Sequence, residues 1–166
     1  FLTPFAFVPA VRRVYDGLLI VAGGIADAAG IYGALALGGD IACMGTRFIA
    51  TPESGVVQGH RAMIAGAGID RIVTSSAING VPANWIRDSL EAVGLDPQQI
   101  ASGKIPLPEG VRGWRDTFSA GQSVALIDEV EPVADLTARL AQEFTALAPH
   151  LDWRGRLATI ETQWSN

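Results

Sequence analysis

The hydrophobic pattern of the chain is dominated by two short apolar runs. Residues 18–22 and 41–44 carry no charge, and each run is followed at once by a glycine. Neither run alternates with polar residues, which is typical of strands buried on both faces of a parallel sheet. The segment between the runs is rich in Ala, Gly and Leu, as expected for a helix that packs closely on a sheet. The pattern predicts a βαβ unit with both glycine turns at the same edge of the sheet.

Capping residues and turn signals predict the remaining elements. Asp27 is a candidate N-cap for the helix of the βαβ unit, and Gly38-Gly39 closes that helix. The other segments have helical spacing, a proline start or β-branched composition. They predict helices over 4–15, 51–65, 82–93, 130–147 and 151–166, an extended segment over 69–78, and irregular structure over 95–117. Two strong strands do not make a stable sheet, so further strands must pair with them.

Composition and charge argue against nucleic-acid and membrane partners. The chain has 166 residues, a net charge of −5 and one adjacent basic pair, Arg12-Arg13, which argues against nucleic-acid binding. No uncharged stretch approaches the roughly 20 residues that span a bilayer, so no membrane span is predicted. Cys43 is the only cysteine. An intrachain disulfide is therefore excluded, a cytoplasmic location is expected, and a small buried side chain is favoured over a reactive thiol.

The two glycine turns are candidates for holding a phosphate. Gly23-Gly24 ends the first run, and Gly45-Thr46 ends the second, 22 positions after Gly23. Backbone N–H groups at such turns bind phosphate, and Thr46 adds a hydroxyl donor. In barrels of eight βα units, the standard phosphate site lies in the loops after the last two strands. Two alternatives stay open: the turns are plain bends, and Arg47 either neutralises the phosphate or pairs with a carboxylate.

The other polar residues form no recognisable metal or catalytic motif. His60 and His150 have no nearby nucleophile or ligand set in the sequence and are expected at the surface. Asp128, Glu129 and Glu131 lie where the chain approaches the last helix, and they are expected to be solvated. Residues 119–122 either line a cofactor ring or form a plain connection. No residue is therefore assigned a catalytic or metal-binding role.

Three stretches closely resemble the nitronate monooxygenase family, formerly called 2-nitropropane dioxygenases. They are AGGIAD at 22–27, ALALG at 34–38 and MGTRFIATPES at 44–54. Weaker similarity continues in NGVPANWIRDSL at 79–90 and AGQS at 120–123. The resemblance thus covers most of the chain and is most specific in its first third.

The resemblance implies an α/β fold made of part of a TIM barrel and a C-terminal extension. Residues 1–68 would be the C-terminal part of a TIM (β/α)₈ barrel, and residues 69–166 a mostly helical or irregular C-terminal extension that packs on it. The family binds FMN and holds the flavin phosphate in the loops after the last two barrel strands. The implied cofactor-binding residues are Gly23, Gly24, Cys43, Met44, Gly45 and Thr46. Family members often carry Gln at the position of Cys43.

The implied activity is that of an FMN-dependent oxidoreductase acting on a small molecule. Family reactions include oxidation of alkyl nitronates by O₂ and reduction of quinones or acyl-CoA thioesters, with NAD(P)H as an optional co-substrate. The residues of this chain do not separate these reactions. A non-catalytic phosphate- or nucleotide-binding half of a split barrel is the alternative.

The family's catalytic base is a histidine in a Gly-Gly-His segment that would lie just upstream of Phe1. We therefore expect this chain to be the C-terminal part of a protein of roughly 350 residues, a length estimated from six more βα units. Its partner would be the N-terminal half of the same barrel, either upstream or as a separate chain. Homo-oligomer formation stays open.

Overall fold

The fold begins with the βαβ unit that the sequence predicts. The computed structural model describes residues 2–102 and 107–147. Strands β1 (Ile20–Ala22) and β2 (Ile41–Cys43) pair in parallel, and helix α2 (Ala28–Ala36) connects them. Both strands are shorter than the apolar runs, because only three residue pairs form the ladder. The parallel arrangement confirms that the two glycine turns lie at the same sheet edge.

The two faces of this sheet have different surroundings. Val21 is buried beneath helix α1 (Pro4–Arg12) and helix α2. On the opposite face, Ile20 is 55% exposed, and Ile41, which lies beside it, is 44% exposed. Cys43 shares this exposed face, so the expectation of a buried cysteine is wrong. The reason is that, within the described residues, helices cover only one of the two faces.

Helix α2 begins and ends where the sequence predicts. The carboxylate of Asp27 accepts a hydrogen bond of 2.7 Å from the backbone N–H of Gly30, which confirms the N-cap. Gly38 follows the helix with φ +105°, a conformation that glycine adopts without steric strain. The crossover is thus closed at both ends by local interactions.

A second sheet follows, and here the helix predicted over 82–93 is wrong in its first half. Strands β3 (Ile72–Ser75) and β4 (Ala83–Ile86) form an antiparallel hairpin, and only then does helix α5 (Arg87–Ala92) begin. Trp85 of β4 is fully buried and lies opposite Val73 of β3. This cross-strand contact outweighs the local helical spacing. The predicted extended segment is confirmed as β3.

The helix predicted over 51–65 starts later than expected. A short helix α3 (Thr46–Ile49) comes first, and helix α4 (Gln58–Gly66) begins only after a turn. Thr51, the first residue of the predicted helix, does not cap it, because its hydroxyl donates to the carbonyl oxygen of Phe48 at 2.8 Å. The Ser54 hydroxyl likewise donates to carbonyl oxygens of the preceding turn. These side chains end α3 instead of starting the next helix.

The C-terminal helix is confirmed. Helix α7 (Val133–Leu147) buries Leu136 and Leu140 and packs against α2, where the rings of Tyr32 and Phe144 lie 6.0 Å apart. Within the segment predicted to be irregular, helix α6 (Pro97–Ser102) was missed. No helix in residues 2–102 and 107–147 is long and apolar enough to cross a membrane. The helix predicted over 151–166 lies outside the described residues.

One core cluster joins the βαβ unit to the later elements. It contains Ala26, which lies between β1 and α2, together with residues from later in the chain, all 2% exposed or less: Ala50, Ile64, Ile86, Val124 and Ile127. Ile86 comes from the hairpin, and Val124 belongs to a 3₁₀ turn over 122–126. Because the cluster combines residues that follow β2 with residues as late as Ile127, it fixes the later segments against the loops after β2.

A buried ion pair ties α3 to the approach of α7. The Arg47 side chain is 2% exposed and donates to the Glu131 carboxylate at 2.6 Å and to the Glu129 carbonyl oxygen at 3.2 Å. Arg139 donates to the same carboxylate. Hydrogen bonding from Arg139, reinforced by Arg47, lowers the pKa of Glu131 below its ordinary value. The expectation that this acidic cluster is solvated is therefore wrong for Glu131.

Replacing the N-cap of α2 should lower stability modestly. Asp27→Ala removes the acceptor of the Gly30 N–H, so we expect the free energy of unfolding to fall by about 1 kcal/mol. Asp27→Asn keeps a capping oxygen and should stay close to the parent. Urea unfolding monitored by circular dichroism measures both; equal losses in the two variants would show that charge, not capping, matters.

The Glu131 ion pair should make stability depend on pH. Because folding lowers the pKa of this carboxyl, its contribution is complete above the unfolded-state pKa and is lost as pH falls through the folded-state value. Glu131→Gln should lower the free energy of unfolding at neutral pH by on the order of 3 kcal/mol and remove that part of the acid dependence. The matched control is Glu129→Gln, since only the backbone of Glu129 accepts from Arg47. Unfolding curves at several acidic pH values test this, and identical acid dependence in parent and Glu131→Gln would contradict it.

Candidate functional site

The turn after β1 requires glycine for backbone reasons. Gly23 has φ +103° and Gly24 has φ +74°, both in the left-handed region that strains other residues. A Cβ at either position would meet nothing within 4 Å. The two glycines therefore bend the chain at the carboxyl end of β1 and leave open space beside the backbone.

The turn after β2 contains a glycine that the described protein does not itself require. Gly45 has φ −93°, which any residue can adopt, and a Cβ placed there would meet nothing within 4 Å. Neither backbone strain nor packing thus accounts for this glycine. Its N–H makes no hydrogen bond to the described residues. A backbone N–H without an acceptor, at a position with no side chain, is available to an anion that approaches closely.

Thr46, the next residue, is held by a distant glycine. Its side-chain oxygen accepts a hydrogen bond of 2.8 Å from the backbone N–H of Gly121. A Cβ at Gly121 would lie 3.0 Å from that oxygen, so glycine permits the close approach. Because the oxygen accepts here, the hydroxyl proton of Thr46 is left to be donated to another group.

Residues 118–122, called the bridging segment below, run from the hairpin to Thr46. Along β4, the Ile86 N–H donates to the Phe118 carbonyl oxygen at 2.8 Å, and the Ala120 N–H donates to the Asn84 carbonyl oxygen at 3.3 Å. The segment therefore continues the sheet for a few residues and then reaches the glycine turn. Both alternatives for 119–122, the lining of a cofactor ring and a plain connection, stay open.

His60 fixes the bridging segment from the other side. Its Nε2 lies 2.9 Å from the Ser119 carbonyl oxygen, and since a carbonyl only accepts, the ring nitrogen donates. The imidazole also stacks on Phe118 with ring centroids 4.6 Å apart. His60 is 8% exposed, so its expected surface position is wrong. Burial lowers the pKa of His60, and the hydrogen bond to Ser119 offsets part of that effect. His150 lies outside the described residues.

Three further residues singled out in the sequence, Cys43, Met44 and Arg47, flank the glycine turn after β2. Arg47, for which two roles were open, pairs with the carboxylate of Glu131. Met44 packs on the apolar cluster beneath the sheet, whereas Cys43 is exposed on the uncovered face. That face also carries Ile20 and Ile41. The cofactor role of Cys43 and Met44 stays a prediction.

Sequence reasoning missed His60 and Asn84 as parts of this neighbourhood, and it left two roles open for the segment that contains Gly121. For His60 a signal existed, because it stands four positions before the buried Ile64 on the same helix face. For Gly121, no local pattern identified Thr46 as the residue that it contacts. Asn84 was hidden by the incorrect helix prediction.

Comparison with known proteins supports the resemblance seen in the sequence. The profile of the nitronate monooxygenase family matches residues 3–143. A nitronate monooxygenase of Paraburkholderia phytofirmans is 34% identical over 138 residues, which cover 75% of this chain and 37% of that protein. A Mycobacterium tuberculosis protein named (3aS,4S,5R,7aS)-5-hydroxy-7a-methyl-1-oxo-octahydro-1H-indene-4-carboxyl-CoA dehydrogenase is 35% identical over 72 residues, 43% of this chain and 20% of that protein.

A solved structure extends the similarity to the fold. The nitroalkane oxidase from Streptomyces ansochromogenes matches with a TM-score of 0.69 and 27% identity, covering 90% of this chain and 46% of that protein. This likeness indicates a TIM-barrel type of α/β fold, although the described residues form no closed barrel. The chain spans less than half the length of each of these three relatives. With most of its length matched by the family profile, the chain belongs to the nitronate monooxygenase family.

Proposed function

We propose that this chain supplies the FMN phosphate site of an FMN-dependent oxidoreductase. The observation that carries the proposal is the place of Gly45: it lies just after β2, its N–H has no acceptor among the described residues, and no side chain fills the space beside it. Gly55 has equally open surroundings but follows no strand, so the position of Gly45 beside the Gly23-Gly24 turn is what points to a ligand. Gly23 and Gly24 turn at the same sheet edge, and two neighbouring donor loops can hold one phosphate from two sides.

The residues present fit a phosphate group. Backbone N–H groups of Gly24 and Gly45 and the hydroxyl of Thr46 would hold the phosphate oxygens. Arg47 is committed to Glu131, so within the described residues the proposed site offers neutral donors. When bound, FMN supplies the electron-transfer chemistry. The protein's own contribution is to anchor the phosphate and to fix the Thr46 hydroxyl through Gly121.

The reaction class is proposed from the family and its named relatives. Oxidation of alkyl nitronates by O₂, and NAD(P)H-dependent reduction of a quinone or an acyl-CoA, are the candidates. One relative is named a nitroalkane oxidase and another a carboxyl-CoA dehydrogenase, which supports an oxidoreductase without choosing among these substrates. We do not assign a catalytic base to this chain.

We further propose that the N-terminal half of the same barrel covers the exposed face of β1 and β2. Ile20 and Ile41 are about half exposed there, and two strands alone do not make a stable sheet. Additional barrel strands would bury this face and supply the rest of the substrate pocket. In this proposal residues 1–68 belong to the barrel, and residues 69–166 form the extension that packs on it.

Gly45→Val tests the phosphate site with the full natural polypeptide that contains this sequence. The parent should purify with the yellow absorption of oxidised flavin. The valine Cβ meets open space, so the free energy of unfolding should change by less than about 1 kcal/mol. The affinity for FMN should fall at least about tenfold, equivalent to 1.4 kcal/mol.

The matched control for this test is Gly55→Val. Gly55 is also exposed and has no left-handed φ, and a Cβ placed there would meet nothing within 4 Å, but it lies outside the proposed site. Flavin content and FMN release, followed by fluorescence, compare the two variants. A colourless parent that takes up no added FMN, or equal FMN affinity in both variants, would contradict the proposal.

Thr46→Val should weaken both the protein and the cofactor complex. Removing the hydroxyl leaves the Gly121 N–H without its acceptor, at about 1–3 kcal/mol of stability, and removes a charge-assisted hydrogen bond to the phosphate worth about 1.5–3 kcal/mol. Thr46→Ser keeps the hydroxyl and should retain most of both. Urea unfolding and FMN titration provide the measurements; equal FMN affinity in the Val and Ser variants would show that Thr46 makes no contact with the phosphate.

A further inference from the structure

The peptide unit between Ser119 and Ala120 is held from two sides. Its carbonyl oxygen accepts a hydrogen bond of 2.9 Å from Nε2 of His60, and its N–H donates to the Asn84 carbonyl oxygen at 3.3 Å. A peptide unit is planar, so the two hydrogen bonds together fix the orientation of the whole plane. The bond from His60 is the shorter of the two, which makes this side chain a principal support of the bridging segment.

The next peptide unit carries the group that reaches Thr46. It joins Ala120 to Gly121, and its N–H donates to the Thr46 side-chain oxygen at 2.8 Å. Only the φ and ψ torsions of Ala120 lie between this unit and the one that His60 holds. Ala120 is 6% exposed and belongs to the core cluster around Ile64, so packing restrains these torsions. His60 therefore sets the position of the Gly121 N–H across a single residue.

The imidazole of His60 is itself held in one orientation. It stacks on the Phe118 ring at an interplanar angle of 8°. The backbone of Phe118 is fixed in turn, because its N–H donates to the Ser89 hydroxyl at 2.9 Å and its carbonyl oxygen accepts from Ile86. Since His60 is buried, water has little access to replace its hydrogen bond to Ser119. The ring is thus a fixed donor to the bridging segment.

The Thr46 side chain depends on this support for its orientation. A threonine side chain has several staggered positions, and its hydroxyl proton rotates to suit an acceptor. The hydrogen bond from Gly121 favours the position in which the Thr46 oxygen lies beside it, and it leaves the hydroxyl proton for another acceptor. Without that bond the side chain would have to be ordered when a ligand binds, at a cost to affinity.

We propose that His60 is a positioning residue of the proposed phosphate site, which holds the bridging segment so that the Thr46 hydroxyl can donate to the phosphate. The inference rests on the proposed function, because it requires a phosphate at Thr46. In this arrangement His60 does not touch the ligand. Its contribution is to order Thr46 before the phosphate arrives, which is the general gain from a preorganised site.

FMN dissociation constants of the full natural polypeptide measure this contribution. His60→Phe keeps an aromatic ring to stack on Phe118 but removes the donor to Ser119. It should weaken FMN binding about three- to tenfold, as expected for coupling through packed neighbours. His60→Gln keeps a side-chain N–H donor and should recover most of the affinity. A Gln variant as weak as the Phe variant, or a Phe variant as tight as the parent, would overturn the assignment.

A double-mutant cycle shows whether His60 acts through Thr46. With Thr46→Val already in place, His60→Phe should have no further effect on FMN affinity. Riboflavin supplies a second measurement, because it has the flavin ring without the phosphate and should bind the parent and the His60 variants alike. An undiminished loss in the Thr46→Val background, or an equal loss for riboflavin, would place the effect of His60 elsewhere and overturn the proposal.

Ala120→Gly provides an independent test if the His60 variants fail to fold. It keeps the hydrogen-bonding groups but loosens the one residue between the two peptide units, since glycine has more freedom in φ and ψ. FMN binding should weaken about threefold. Ala67→Gly is the matched control, because Ala67 is 5% exposed in the same core cluster but lies outside the bridging segment. Equal FMN affinity in these two variants would contradict the positioning role.

The two proposals fail in different ways. A parent without flavin that takes up no added FMN defeats the proposed function. A flavin-loaded parent whose FMN affinity depends on Thr46 but not on His60 overturns only the positioning role. Urea unfolding of each variant accompanies the titrations, and affinities are compared at a temperature at which all variants are folded, so a loss of stability is not counted as a loss of FMN binding.

Discussion

The hydrogen bond from the Gly121 N–H to the Thr46 hydroxyl connects the two parts of this structure. On one side it reaches the turn that follows β2, where Gly45 leaves a backbone donor open. On the other side it holds the bridging segment, which pairs with β4 and is fixed by His60. A side chain at Gly121 would crowd this contact, because its Cβ would lie 3.0 Å from the Thr46 oxygen. The geometry of the proposed phosphate site thus depends on residues that come much later in the chain.

The positive charge nearest to the proposed phosphate site, that of Arg47, is paired with Glu131. Arg47 stands directly after Thr46, yet Glu131 and the Glu129 carbonyl oxygen bind its guanidinium. The same contact attaches α3 to the start of α7, and Arg139 strengthens it. A buried cation next to the site therefore serves packing. In the proposed site, backbone N–H groups and one hydroxyl would bind the phosphate, a mode in which dipoles replace a countercharge.

The sequence predicted the elements whose signals are local. The βαβ unit, the Asp27 cap and helix α7 all follow from apolar spacing and capping chemistry within a few residues. Errors arose where a distant partner decides the conformation. Residues 83–86 form a strand because Trp85 packs against Val73, and Thr51 bonds backward to Phe48 instead of capping a new helix.

The sequence by itself determined the family, the parallel βαβ unit and the two glycine turns, because a short run of residues encodes each of these. Only the tertiary structure decided the roles of His60, Arg47 and Gly121. Their partners, Ser119, Glu131 and Thr46, lie between 59 and 84 positions away. Contacts over such separations depend on how the elements pack, and no local pattern of residue types carries that information.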